Sequence, residues 1–88
     1  MAEVVFNYKG IDTIIQCNIN DKMKDIINKF LIKIGENDNN LLYIYGDNII
    51  NYEFTFIQQA NELDKNNNKI NIIVKLNNDI NNEKKEIE

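Results

Sequence analysis

The sequence predicts an α+β domain in which a single helix packs across a sheet, and three observations predict it. Apolar residues at Met23, Ile26, Ile27, Phe30, Leu31 and Ile34 recur at the i, i+3, i+4, i+7, i+8, i+11 spacing of one helical stripe. Segments with a period of two stand on both sides of that stripe. A lone helix must bury its stripe against something, and only the flanking strands can form the surface it needs. With 88 residues the chain makes one domain with a thin core.

Residues 4–8 read as a strand, with Val4, Phe6 and Tyr8 on one side and Val5 and Asn7 on the other. Lys9-Gly10 is a turn signal, because Gly accepts positive φ. Residues 12–18 alternate again: Thr13, Ile15 and Cys17 share one face, Ile14, Gln16 and Asn18 the other. The two strands form a hairpin. The helix spans residues 21–35, with Asp21 as the expected N-cap and Gly35 as the left-handed residue that ends it. Residues 36–40 are a polar loop. Residues 41–45 form a short, wholly apolar third strand, and Gly46-Asp47-Asn48 turns into a very short fourth strand at Ile49-Ile50. Thr55 caps a helical turn over residues 56–60. Residues 64–69 read as a loop. In the last strand, residues 70–76, Ile70, Ile72, Val74 and Leu76 face one way and Asn71, Ile73 and Lys75 the other. Its near-continuous apolarity predicts a central strand with part of both faces covered. Residues 77–88 hold only Ile80 and Ile87 as apolar side chains, the composition of a disordered tail or linker.

Composition excludes several functions. The net charge is −4 and Arg, the preferred reader of phosphates and guanine edges, is missing, which argues against nucleic acid as a partner. One Cys and no His leave no zinc site and no Cys-His or Ser-His catalysis. Scattered acids at Asp12, Asp47, Glu53 and Asp64 lack calcium-loop spacing. No cofactor and no enzymatic activity are expected. No run approaches the ~20 apolar residues of a membrane helix, and Met1 to Phe6 lacks the pattern of a signal peptide. The expectation is a monomer in the cytoplasm or nucleus, with no membrane partner. Asn is about one residue in five, which reads as genome composition because the apolar periodicity survives beneath it. Cys17 is expected to be a small core residue, and Lys29 and Lys33 to lie on a solvated helix face with an Asp25–Lys29 pair.

The order hairpin, helix, short strand, tiny strand, helical turn, final strand resembles the ubiquitin-like family over residues 4–76. The helix with Met23, Ile26, Phe30 and Gly35 resembles the family's first half. Leu42-Tyr43-Ile44-Tyr45-Gly46-Asp47-Asn48-Ile49 resembles its third strand and turn. Thr55-Phe56 resembles the capped fourth segment, and Ile70-Asn71-Ile72-Ile73-Val74-Lys75-Leu76 the alternating last strand. The resemblance implies a β-grasp, ubiquitin-like roll: a mixed sheet with one helix across it, ββαββ, a helical turn and β, over residues 1–76. Conjugating members end in Gly-Gly, whereas here Leu76 is followed by Asn77-Asn78-Asp79. The resemblance therefore implies a non-conjugated member, an adaptor in the ubiquitin–proteasome pathway.

In that fold the first and last strands pair centrally and the third flanks the last. The outward sheet face is then expected to show Val5, Tyr43, Tyr45, Asn71 and Ile73. Tyr43 takes the central apolar position of the family's docking patch, Ile73 the matching position on the last strand and Asn71 the polar position beside it. The implied partners are proteins: ubiquitin-binding modules, or proteasome- and unfoldase-linked factors. A Ras-association or Phox-and-Bem-type domain is the alternative, pairing by charge through Lys9 and the acidic residues between Asp47 and Glu53.

Overall fold

The computed structural model describes residues 1–37 and 40–77. Strands β1 (Ala2–Tyr8) and β2 (Ile11–Cys17) pair antiparallel from Ala2↔Cys17 to Tyr8↔Ile11. Lys9 and Gly10 join them with φ of 55° and 79°. Two successive positive φ values define the type I′ turn, whose twist matches that of the strands it connects.

Helix α1 (Met23–Ile34) follows. Met23, Ile26, Ile27 and Phe30 are buried, and Leu31 and Ile34 pack at the margin of the core, so the whole predicted stripe faces the sheet. Gly35 ends the helix at φ 73°, its N–H donating to the Ile32 carbonyl at 3.2 Å while the Glu36 N–H donates to that of Leu31 at 3.0 Å. The other end differs from expectation. The N-cap residue is Lys22, without a side-chain cap, and the Asp21 carboxylate instead accepts the Asn18 N–H at 2.9 Å. The free N–H groups of Met23 and Lys24 donate to the carbonyls of Phe54 (2.7 Å) and Tyr52 (3.0 Å). A distant loop thus supplies the acceptors that a capping side chain usually supplies. Glu53 sits between Lys22 and Lys24, 3.3 Å from each ammonium, and hydrogen bonds from Lys24 and then Lys22 hold its carboxyl below the ordinary range.

Strands β3 (Leu41–Tyr45), β4 (Asn48–Ile49) and β5 (Lys69–Leu76) complete one five-stranded sheet in the order β2-β1-β5-β3-β4. β5 runs parallel to β1 and antiparallel to β3, so the sheet is mixed. Its inner face carries Ile70, Ile72 and Val74, all buried. Its outer face is open, correcting the two-sided cover expected of this strand: Asn71, Ile73 and Lys75 are exposed. The architecture is the β-grasp, ubiquitin-like roll.

Two short helices link β4 to β5. α2 (Phe56–Gln59) begins with the Thr55–Gln58 capping box. α3 (Glu62–Asn67) occupies most of the stretch expected to be a loop. It buries no residue, so no apolar stripe announces it. Caps hold it instead: the Asn61 side chain accepts the Asp64 N–H at 2.8 Å, and left-handed Asn68 (φ 52°) stops it. Residues that read as loop formers are here the ends of a helix. The Asn77 N–H donates to the Asn40 carbonyl at 2.7 Å, and the tail expected over residues 77–88 lies, from residue 78 on, outside the described residues. Among the described residues no helix is long and apolar enough to cross a membrane.

The core lies between α1 and the sheet. Phe6, Phe30, Phe56, Met23, Ile26, Ile70, Ile72 and Val4 are its largest fully buried side chains. Phe30 stacks on Phe6 with centroids 4.4 Å apart. Phe30→Ala is expected to cost about 3–5 kcal/mol, comparable to the whole stability of a domain this small. A urea titration checks it, with a large fall in midpoint expected.

A candidate protein-docking face

Strand alternation divides the sheet. On the inner side are Val4, Phe6, Ile15, Cys17, Leu41, Tyr43, Ile70, Ile72 and Val74, all in the core. The outer side follows from the register. Ile44 stands opposite both Ile49 on β4 and Ile73 on β5, so three isoleucines form one cross-strand row roughly 10 Å long. On β1 the row meets Asn7, opposite Ile73, while Val5, diagonal to Ile73, lies opposite Asn71 on β5 and Ile14 on β2. Ile49, Ile73 and Ile14 keep 56%, 50% and 47% of their surface exposed, while Val5, between two neighbours, keeps 9%. Half-exposed Ile49 and Ile73, each paired with Ile44 between them, are a surface that a partner can dehydrate.

Three of the residues expected on this face are there: Val5, Asn71 and Ile73. Tyr43 and Tyr45 are not. Tyr43 is 4% exposed on the inner side, edge-on to Phe6 (6.1 Å), Phe30 (6.3 Å) and Tyr52 (6.3 Å). Tyr45, two residues on, shares that side and packs at the core margin. Its hydroxyl donates to Asp64 at 2.5 Å and accepts the Asn61 N–H at 2.9 Å, latching β3 to α3. Burial and the Asp64 carboxylate push this hydroxyl above the ordinary range, opposed by the Asn61 N–H. The error is one residue of phase: Tyr43 pairs with inward Val74, and Ile44, not Tyr43, pairs with Ile73. A slip of one exchanges the two faces of a strand. Leu-Leu-Tyr-Ile-Tyr is apolar throughout and carries no alternation of its own. The phase is set by the register with β5: Leu76 is inward and Leu41 pairs with it, so the odd-numbered residues of β3 point inward.

The remaining chemistry is structural. Cys17 is 3% exposed, and burial, then the Asp21 charge, push its thiol up to about 11. Lys29 reaches Asp21 at 3.9 Å, where a pair with Asp25 was expected, and the Lys33 ammonium donates to the Ile14 carbonyl at 3.0 Å. Of the two acids that would support charge pairing, Asp47 and Glu53, Glu53 is taken up between two lysines. Lys9 lies over the Tyr8 ring, 5.1 Å from its centroid. Among the described residues no three Cys, Asp or Glu come together as a metal site.

A helix over a mixed sheet, with an open apolar outer face, defines the class: a β-grasp domain of the ubiquitin-like fold. No family model matches the sequence. No curated protein matches it either. Among solved structures the chain is similar to one described as "Crystal structure of ATBAG1 in complex with HSP70", with a TM-score of 0.70 and 10% identity over 86% of this chain. At that identity the likeness is one of fold. The chain spans 40% of that neighbour's length.

Two predictions follow from the geometry. Tyr43→Ala is expected to cost about 3 kcal/mol or more, and Ile44→Ala less than about 1.5 kcal/mol, since only Tyr43 leaves a cavity; urea midpoints of the two variants check the ordering. Cys17 has a folded pKa above its unfolded value of 9.0, so its contribution to stability is whole below that pH and is lost as pH rises through about 11. The stability advantage of the wild type over Cys17→Ala should therefore shrink between those two pH values.

Proposed function

We propose that this chain is a non-conjugated ubiquitin-like domain: a non-enzymatic adaptor, working in the cytoplasm or nucleus, that docks protein partners on its outer sheet face. The carrying observation is the Ile49–Ile44–Ile73 row, extended by Val5 and Ile14 around polar Asn71. In ubiquitin-like domains the corresponding face receives helical ubiquitin-binding modules, and such modules or proteasome- and unfoldase-linked factors are the partners proposed here. Three observations support this reading. The row is apolar and open, a surface on which an amphipathic helix can lay its own stripe. In the sequence Leu76 is followed by Asn77-Asn78-Asp79, where conjugating members carry Gly-Gly. The fold neighbour is described as complexed with HSP70, so a protein containing this fold is seen in a protein assembly.

The test separates docking from folding. Ile44→Ala combined with Ile73→Ala should reduce binding of a helical ubiquitin-binding module at least about tenfold, a loss of ~1.4 kcal/mol. The amide spectrum should stay that of a folded domain. Retention of full affinity by the folded double variant would sink the assignment of this face.

A further inference from the structure

Helix α3 is held in a different way from the rest of the domain. It buries no residue, and its apolar side chain, Leu63, is 68% exposed. Burial of apolar surface therefore does not seat it. Its ends are tied down: Ala60 is buried just before it, and the Glu3 N–H donates to the Asn68 carbonyl just after it, at 3.0 Å. Between those ends the tie to the sheet is the Tyr45 hydroxyl, which accepts the Asn61 N–H at 2.9 Å and donates to Asp64 at 2.5 Å. Its two partners also bond each other, the Asp64 N–H donating to the Asn61 side chain at 2.8 Å. One phenol thus closes on the whole first turn of α3.

The same tyrosine ends β3. Its backbone pairs with Asn48, and Ile44 before it pairs with Ile49. Beyond that short ladder the Ile50 N–H donates to the Tyr43 carbonyl at 3.0 Å. Ile49, the outermost residue of the isoleucine row, is therefore carried between two tyrosines of β3. Tyr43 is fixed by the rings of Phe6, Phe30 and Tyr52. Tyr45 lies at the core margin, and its hydroxyl is fixed by α3. An element with few buried contacts opens at low free-energy cost, so of the two holds on β4 the one through Tyr45 is the adjustable one.

We propose that Tyr45 is a positioning residue for the outer face. By docking α3, its hydroxyl holds the end of the β3–β4 hairpin so that Ile49 stays in line with Ile44 and Ile73. Docking of α3 and binding of a partner on the outer face then support each other. The partner half of this proposal rests on the outer-face reading given above. The coupling between α3 and β4 does not. By reciprocity, the factor by which the docked α3 raises partner affinity is the factor by which a bound partner protects α3.

The experiment uses the full chain and two variants. Tyr45→Phe removes the hydroxyl and keeps the ring. Asp64→Asn keeps a carbonyl oxygen for the hydroxyl to donate to, and should behave as the wild type. In Tyr45→Phe the amides of Asp64 and Lys65 should exchange with solvent about five- to tenfold faster, the effect of losing a hydrogen bond. The Asn48 amide should exchange faster too, and the Ile49 amide signal should move. Affinity for a helical ubiquitin-binding module should fall about fivefold, and saturating module should slow Asp64 and Lys65 exchange by about the same factor in the wild type but not in Tyr45→Phe. Faster exchange confined to α3, with Asn48, Ile49 and affinity unchanged, would make the hydroxyl a structural tie only and overturn the proposal. Unchanged exchange at Asp64 and Lys65 would overturn it as well. Ile44→Ala with Ile73→Ala separates the two readings: affinity lost there but kept in Tyr45→Phe overturns the positioning role alone, whereas affinity kept there overturns the face itself. A wild type that binds no such module overturns both.

Discussion

Three aromatic rings from three elements meet at the centre of the domain. Phe6 on β1 and Phe30 on α1 stack at 4.4 Å, and Tyr43 on β3 stands edge-on to both, at 6.1 and 6.3 Å. Such contacts contribute about 0.5–1.5 kcal/mol each beyond the area they bury. Their geometric effect is larger than that. The stack seats α1 over β1, and Tyr43 reaches the same rings from beyond β5, which lies between β1 and β3 in the sheet. With Tyr43 committed inward, Ile44 must face outward, beside Ile73 and Ile49. The outer face is therefore a consequence of how the inner face is filled.

The stack also explains which parts of the fold could be read in advance. Helix α1 showed itself through Met23, Ile26, Ile27 and Phe30, because an amphipathic stripe has a period that polar neighbours make visible. Strands β1, β2 and β5 did so through alternation, and Gly10 and Gly35 through the positive φ their positions need. β3 offered no such contrast: five apolar residues in a row give a strand without a phase. Its phase comes from Tyr43 meeting Phe6 and Phe30, a contact across three elements that no local pattern contains. Val5, Asn71 and Ile73 were legible as outward-facing residues because they sit on alternating strands. Ile44 was not, for the same reason that Tyr43 was misplaced.

The misread ends have a different cause. α3 is held by Asn61, left-handed Asn68 and the Tyr45 hydroxyl, none of which leaves a hydrophobic signature. In a chain this rich in Asn, a capping Asn and a loop Asn look alike. At the start of α1, Asp21 is a plausible cap by type, but the carbonyls of Tyr52 and Phe54 take the N–H groups and leave Asp21 to Asn18 and Lys29. That choice ties the helix to a loop some thirty residues later, reinforced by Glu53 between Lys22 and Lys24. The helix N-terminus is thus completed only when the second half of the chain has docked, which couples the two halves in folding.

Ile14 joins the outer face to the helix. Its side chain continues the outer face from Val5, while its carbonyl points away from β1 and accepts the Lys33 ammonium of α1. The register that sets Ile14 beside Val5 is the same register that brings its carbonyl to Lys33. A slip of one residue in that pairing would turn the Ile14 side chain inward and take its carbonyl away from the lysine, so the hydrogen bond from the helix and the apolar side chain on the outer face stand or fall together.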